Sequence, residues 1–506
     1  MKQIAALLII AGTMASFCAE PVNSALWGKK GEAFTVVGRL PDFSYAGYRS
    51  GETPIPTPKV TASVRDLGAK GDGKTDDTAA FRKALASGPN AVIHVPAGRY
   101  VITGVLELKQ SRTVLRGDGP GKTILFFPKT LNDIKPNWGQ TTGGRRTSNY
   151  SWSGGFIRFM GSFGSAQLAT VAAPAERGSS ELSLSDASKI KVGQKLEIRQ
   201  SDTKENTLAR ALYDGDPGDM RKLRGKTRIS MVAKVTAMKG ESVTIEPPLR
   251  FDIRQEWQPV VKTFEPTVQD CGLEELTLEF PVTPYKGHFT ELGRNGIAMS
   301  GVANCWVRNV EMLNADSGGF IGSRFCTLEG LVFRSERKAD WQKCTGHHGL
   351  TLGGTDNLLT GFDYRMRFIH DITVSNGSSQ NVIAAGRGDD LCFDHHKRAP
   401  YQNLFTDIDL GAGTRPWKCG GGGSLGKHCG ARTTFWGIRA KHSIALPPRR
   451  FDPGSLNLVG LPSKAASRKQ PGKSWIEAIP PADLSPIDLY QAQLKRRAKT
   501  GKRFWD

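Results

Sequence analysis

Seven of the nine histidines (His288, His347, His348, His370, His395, His396 and His428) fall between residues 288 and 428 of the 506-residue sequence, among carboxylates and guanidinium groups. Four strings hold most of this chemistry. YKGHFTELGRNGI offers Tyr285, His288, Glu291 and Arg294, and NADSGG offers Asn314 and Asp316. GHHGLTLGGTDN offers His347, His348 and Asp356. The richest, GRGDDLCFDHHKRAPY, contains Arg387, Asp389, Asp390, Asp394, His395, His396, Lys397 and Arg398. In a strand, alternation puts Leu391 and Phe393 on one face of this last string and Asp390, Cys392 and Asp394 on the other. Two carboxylates so close raise one pKa and set an acid beside a base. Asp389, Asp390 and Asp394 also have the oxygen donors of a calcium site. Asp394, His395, His396, His347 and His348 are suitable transition-metal ligands, but without diagnostic spacing. His395 and His396 are adjacent and point to opposite faces, so one of them is structural.

The charge balance narrows the substrate. There are 69 Lys+Arg against 48 Asp+Glu, a net charge of +21, which favours a polyanion. Together with the family resemblance that GAKGDGKTDDTAAF carries, this implies a uronate-containing or sulfated polysaccharide. Cleavage by β-elimination needs a cation to neutralise the carboxylate and a base to take the proton beside it. His395 or His348 is the expected base. Arg387, Arg398, Lys397, Arg415 and His288 are the expected substrate contacts, with Asp389, Asp390 and Asp394 holding calcium or orienting the histidine. Hydrolysis instead needs two carboxyl groups flanking the bond; there Asp390 or Asp394 is the acid and Asp316 activates water. Trp138 and Trp152, in a loop with Arg145 and Arg146, supply faces on which sugar rings stack. A non-catalytic polysaccharide-binding or adhesive protein is the competing reading, and its groove would lack a convergent acid and base. No helix or aromatic-basic module supports nucleic-acid binding.

Residues this far apart meet only if the backbone winds. With 38% hydrophobic and 23% charged residues the chain can build a large core, which excludes wholesale disorder. Asp76 or Asp77 caps a short helix whose apolar face is Ala80, Phe81, Ala84 and Leu85. The period then switches to two, with strands at AVIHV, GRYVIT, GVLEL and TVLRG. Later segments align as Cys271-GLEELTL, Cys305-WVRNVEM and Cys326-TLEGLVF, at offsets of 34 and 21 residues. The shorter is close to one turn of a β-solenoid, and the longer allows one loop insertion. The three cysteines then stack inside the coil as a ladder of thiols.

The string GAKGDGKT (68–75) satisfies a P-loop pattern, but Asp76 and Asp77 place negative charge where phosphates must sit. With the residues that follow, GAKGDGKTDDTAAF resembles the opening motif of the pectate-lyase-like superfamily, in its pectate lyase 3 and rhamnogalacturonase-like form. The resemblance implies an all-β, right-handed parallel β-helix with an N-terminal capping helix and carbohydrate-directed activity. Three strings are also similar to motifs of the polygalacturonase family: Asn314 and Asp316, Asp389 and Asp390, and His347 or His348. Here the histidine motif precedes the paired aspartates, whereas in that family it follows them.

The expected organisation is a signal peptide over 1–19, a lead segment over 20–60, and the capping helix with the first coils over 61–165. A small inserted β-module follows over 166–251, site-bearing coils over 252–442, and a basic C-terminal wrap over 443–506. The leader carries Lys2, an apolar run from Ile4 to Phe17 and a small-residue stretch around Ala15, Ser16 and Ala19, which implies a secreted or periplasmic protein with no transmembrane segment once mature. Phe17 before Cys18 argues against lipidation. Seven cysteines follow Cys18, and the closeness of Cys419 and Cys429 allows a disulfide. Oligomeric state is left open.

Overall fold

The computed structural model describes residues 20–505 apart from 142 and 471. The leader and Cys18 lie outside the described residues. Thr78–Leu85 is a helix that buries Ala80, Phe81, Ala84 and Leu85. Asp77 is its N-cap residue, and the Asp76 carboxylate just before it accepts from the Thr78 amide at 3.0 Å. Asp77 accepts from the amides of Lys70 (2.6 Å) and Gly71 (3.1 Å), so the P-loop-like turn is filled by the chain's own carboxylate. Phe81 packs edge-on against Tyr100, 5.4 Å between centroids, which joins the helix to the first coils.

From there the chain winds as the expected right-handed parallel β-helix. One parallel sheet stacks Leu106–Leu108, Ile157–Met160, Asn295–Ala303, Ser317–Arg324, Gly346–Leu352, Phe368–Val374 and Phe393–His395. The remaining coil strands form two further faces, such as Val92–Val95 and Val114–Gly117 on one and Gly98–Val101 and Thr123–Phe126 on the other. Long strands bend from one of these faces to the next through a residue with positive φ, as at Glu275 (61°), Asn309 (50°), Ala385 (48°) and Asp407 (53°). The bend needs the left-handed region that glycine adopts most easily, and Gly361 and Gly437 occupy it in other coils.

Inside, side chains stack rung on rung. Leu273, Val307, Leu328, Leu359, Ile383, Phe405, Phe435 and Leu458 share one register and are buried in a single core. Beside them runs the cysteine ladder: Cys326 Sγ accepts from the Cys305 amide at 3.3 Å. The ladder then changes chemistry. The Cys326 amide donates to Asn357 Oδ1 (3.1 Å), Asn357 Nδ2 to Asn381 Oδ1 (3.0 Å), and Asn381 Nδ2 to Asn403 Oδ1 (3.1 Å). All seven cysteines among the described residues are free thiols, Cys419 and Cys429 included, so the disulfide between those two is not formed.

A six-stranded antiparallel sheet is inserted between the early coils. Its strands include Gln167–Thr170, Lys195–Ser201, Arg228–Lys239 and Val260–Thr263. The last of these pairs with both Gln167–Thr170 and Lys195–Ser201, so the module reaches past the expected boundary at 251. The C-terminal helix Leu489–Ala498 lies along the side of the solenoid: Leu489 and Tyr490 pack with Val382, Leu404 and Trp436, together with Trp27 and Phe43 from the lead segment. Val22–Asn23 pairs in parallel with Leu484–Ser485, tying the two ends together. No described helix is long and apolar enough to cross a membrane.

Candidate active site

Five imidazoles gather on the outer side of the seven-stranded sheet. His348 lies in register with His370 one coil further on, their rings stacked 5.0 Å apart. His347 is 4.1 Å from His348, His288 is 4.5 Å from His347, and His396 is 5.3 Å from His370, all between ring centroids. His288 arrives from the loop that follows Phe280, and Phe289 stacks on it at 3.6 Å. His347, His348 and His370 are almost wholly buried, while His288 and His396 are half-buried and form the accessible rim.

Two carboxylates support the rings from below. Asp394 Oδ2 lies 2.9 Å from His396 Nδ1 and 3.3 Å from His370 Nδ1. It also accepts from Thr373 Oγ1 at 3.0 Å, and Oδ1 accepts from the Gly420 amide at 2.8 Å. Burial opposes its charge, but His370 and His396 outweigh burial and hold it well below the usual carboxylate range. Glu291 accepts from the Tyr285 hydroxyl at 2.5 Å and lies 3.5 Å from His347 Nδ1. Burial raises its pKa, but the His347 contact lowers it further, to about 2.

The imidazoles respond oppositely. Desolvation, then repulsion among neighbouring rings, pulls His288 down to about 4 and His348 well below its ordinary value. In His396 desolvation is outweighed by Asp394, which raises the pKa. Lys397 and Arg398 add positive potential beside His396, and Arg145 does so beside His288. Trp152 is 37% exposed and meets the cluster through Phe289, 6.1 Å away. Gly420 lets the glycine-rich loop close over the rings, since a Cβ there would lie 2.4 Å from His396 Cε1 and 2.7 Å from His370 Cε1.

The structure thus brings together His288, His348, Asp394, Lys397, Arg398 and Trp152 from the expected set. Others lie elsewhere. His395 faces the interior, wholly buried against Phe405, Phe435 and Phe451, with Nδ1 3.2 Å from the Phe393 carbonyl. A polymer cannot reach it, and the expected base is a core residue.

Asp390 does not share a face with Asp394. It accepts from the Thr414 amide (2.7 Å) and hydroxyl (2.6 Å) and faces Arg367 at 3.3 Å. Arg415 is internal too, bound to Asp371 at 2.6 Å and to the carbonyls of Asp390 and Phe368. Asp316 is buried and held by Arg337 (2.9 Å) and the Arg294 amide (2.9 Å), on the wall of a cavity of about 370 Å³ that Tyr285 and Glu291 also line. Arg387 pairs with Asp363 at 2.7 Å in an open groove of about 540 Å³ with Asp407, Asp409 and Arg439, on strands outside the histidine-bearing sheet. Asp389 is exposed. Among the described residues, Asp389, Asp390 and Asp394 form no ion-binding group, so the calcium trio is not assembled. Trp138 is exposed on a hairpin with the Arg146 guanidinium 4.9 Å from its ring.

Sequence reasoning missed His370, His396, Glu291 and Tyr285 as members of one cluster. In FIHDITV, strict alternation puts His370 with Phe368 and Ile372, facing in. Asp371 breaks that alternation: it accepts from the Phe368 amide at 2.9 Å and the Cys392 amide at 2.8 Å, and pairs with Arg415. The available signal was the 22-residue spacing of His348 and His370, one coil.

Residues 61–203 match the family model Rhamnogalacturonase A/epimerase, pectate lyase-like. The resemblance to the pectate-lyase-like superfamily therefore stands, carried by the first coils, whereas every histidine of the cluster lies beyond the matched residues. Over 84 residues the chain is 38% identical to the pre-neck appendage protein of Bacillus phage phi29, covering 16% of this chain and 10% of that protein. Over 100 residues it is 29% identical to alginate lyase 7 of Azotobacter vinelandii, covering 18% and 12%. The chain thus spans about a tenth of the length of these relatives. Among solved structures, the tailspike gp49 of Pseudomonas phage LKA1 aligns with TM-score 0.43 and 14% identity over 79% of this chain and 74% of that one. The exopolygalacturonase of Thermotoga maritima aligns at 0.33 and 10% over 80% and 81%.

Proposed function

We propose that this pectate-lyase-like β-helix is a secreted enzyme that cleaves an acidic polysaccharide by β-elimination at the histidine cluster. The observation that carries the reading is the Asp394–His396 pair on an accessible rim flanked by cationic side chains. Asp394 holds Nδ1 of His396, which leaves Nε2 as the proton acceptor. A base oriented by a carboxylate in this way is suited to removing the proton next to a uronate carboxylate. That proton passes to His396 Nε2, the C–H electron pair becomes the new double bond, and the glycosidic C–O bond on the adjacent carbon breaks. The leaving oxygen takes a proton from solvent. Lys397 and Arg398 steer and neutralise the substrate carboxylate, His348 supports the base as a neutral neighbour, and Trp152 offers a face to a sugar ring.

Hydrolysis is less well supported. Of its expected groups, Asp390 is bound to Thr414 and Asp316 to Arg337, while Asp394, the other candidate acid, is held ionised by His370 and His396. A purely adhesive protein has no need of an imidazole oriented by a buried carboxylate. The family name and the alginate lyase relative agree with carbohydrate-directed activity without fixing the reaction. The test is incubation with a panel of uronate-containing and sulfated polysaccharides, following unsaturated-uronate absorbance and reducing ends together. Both signals support elimination. Reducing ends alone would replace it with hydrolysis, and neither signal across the panel would favour a binder.

A further inference from the structure

Three of the five imidazoles have the arrangement of a metal centre. The ligand atoms of His288, His347 and His370 all lie within 4.8 Å of one another. Their ring centroids are 4.5, 5.5 and 6.0 Å apart. Three imidazoles on one ion with 2.0–2.1 Å bonds need nitrogens about 3.3 Å apart, a closure that side-chain rotation supplies.

A second observation is independent of this spacing. Nδ1 of His347 and Nδ1 of His370 are buried without a hydrogen-bond partner, as is Glu291 Oε2. Nδ1 of His347 stops 3.5 Å from Glu291, and Nδ1 of His370 stops 3.3 Å from Asp394. This is the outer shell of a histidine metal site, in which a carboxylate takes the Nδ1 proton and turns Nε2 toward the ion. Closing these two Nδ1–carboxylate contacts would pair the buried Nδ1 atoms and leave Nε2 of each ring to the ion.

We propose that His288, His347 and His370 bind one divalent first-row transition ion, of which zinc is the representative, with Glu291 and Asp394 as orienting carboxylates. Three neutral nitrogen ligands select such an ion over calcium, which takes oxygen donors. They also leave a fourth position open, as catalytic sites do. Half-buried His288 places that position at the rim. There it would take an oxygen of an anionic ligand, and in the reading proposed above, on which this role rests, that ligand is the uronate carboxylate.

The full-length mature protein, stripped with chelator, is dialysed against zinc or calcium and its metal content measured without substrate. One zinc per chain is expected, with no retained calcium. His347→Ala and His288→Ala should lose the zinc, Glu291→Gln should weaken binding about tenfold or more, and His395→Phe should keep one equivalent. Should His347→Ala fail to fold, His288→Ala on the half-buried loop carries the test. No retained zinc, or retention unchanged in both histidine variants, overturns the site. Because retention is read without polymer, its loss counts against the metal alone, whereas a zinc-loaded protein inactive on every polymer counts against the cleavage reading alone.

Discussion

Exchanging His395 for phenylalanine separates an internal histidine from a reacting one. In the folded chain His395 is wholly buried among Phe405, Phe435 and Phe451, and desolvation lowers its pKa to about 4. The unfolded chain has an ordinary value of about 6.5. Between these values the unfolded state binds more protons than the folded one, so stability rises with pH across that window. The full contribution is present above about pH 6.5 and is lost progressively as pH falls toward 4. Two and a half pKa units correspond to about 3 kcal/mol, most of it spent by pH 4.5. A phenylalanine packs in the same aromatic surroundings and does not titrate. His395→Phe should therefore lose about 2–3 kcal/mol less than the parent between pH 7.5 and 4.5, read from urea unfolding at both pH values. At neutral pH its turnover per folded molecule should match the parent's. An unchanged acid sensitivity, or a folded His395→Phe without activity, would refute the placement of this ring in the core.

Asp390→Ala removes the partner of Thr414 and Arg367 and should cost about 3 kcal/mol in urea unfolding while leaving turnover of the folded protein intact. Gly420→Ala should cut activity at least tenfold by driving a methyl group into His370 and His396, whereas Gly423→Ala, with open space around its Cβ, should behave as the parent. Asn381→Ala breaks the internal amide ladder at four hydrogen bonds and should cost about 2–4 kcal/mol, measured by denaturation. Trp152→Ala should raise KM about two- to tenfold with little change in kcat, as expected for a lost stacking face.

Much of the architecture was legible because the solenoid repeats its instructions. The Thr78–Leu85 helix, the strand at Val92–Val95 and the coil alignment of Cys271, Cys305 and Cys326 each follow from local periodicity that the winding preserves. The ladder's change from sulfur to amide at Asn357 was hidden, because the two residue types share a position and not a chemistry. The site was less readable for the same local reason. Alternation assumes a regular strand, and the regular strand here is only Phe393–His395. Asp390 lies before it and turns toward Thr414, so the expected carboxylate pair never forms. His395 follows the inward phase of Phe393, and the chemistry passes to its neighbour His396. His370 needed Asp371 to be recognised as an inward-facing partner of Arg415, a contact 44 residues apart in sequence.

In the proposed mechanism the outward imidazoles, and not the inward one, act on the polymer. The direct measurement is turnover per folded molecule of His396→Ala and His395→Phe, side by side, on the polysaccharide that gives unsaturated ends with the parent protein. A loss of at least about a hundredfold is expected in His396→Ala, and parental turnover in His395→Phe. Undiminished elimination by a folded His396→Ala would contradict the mechanism.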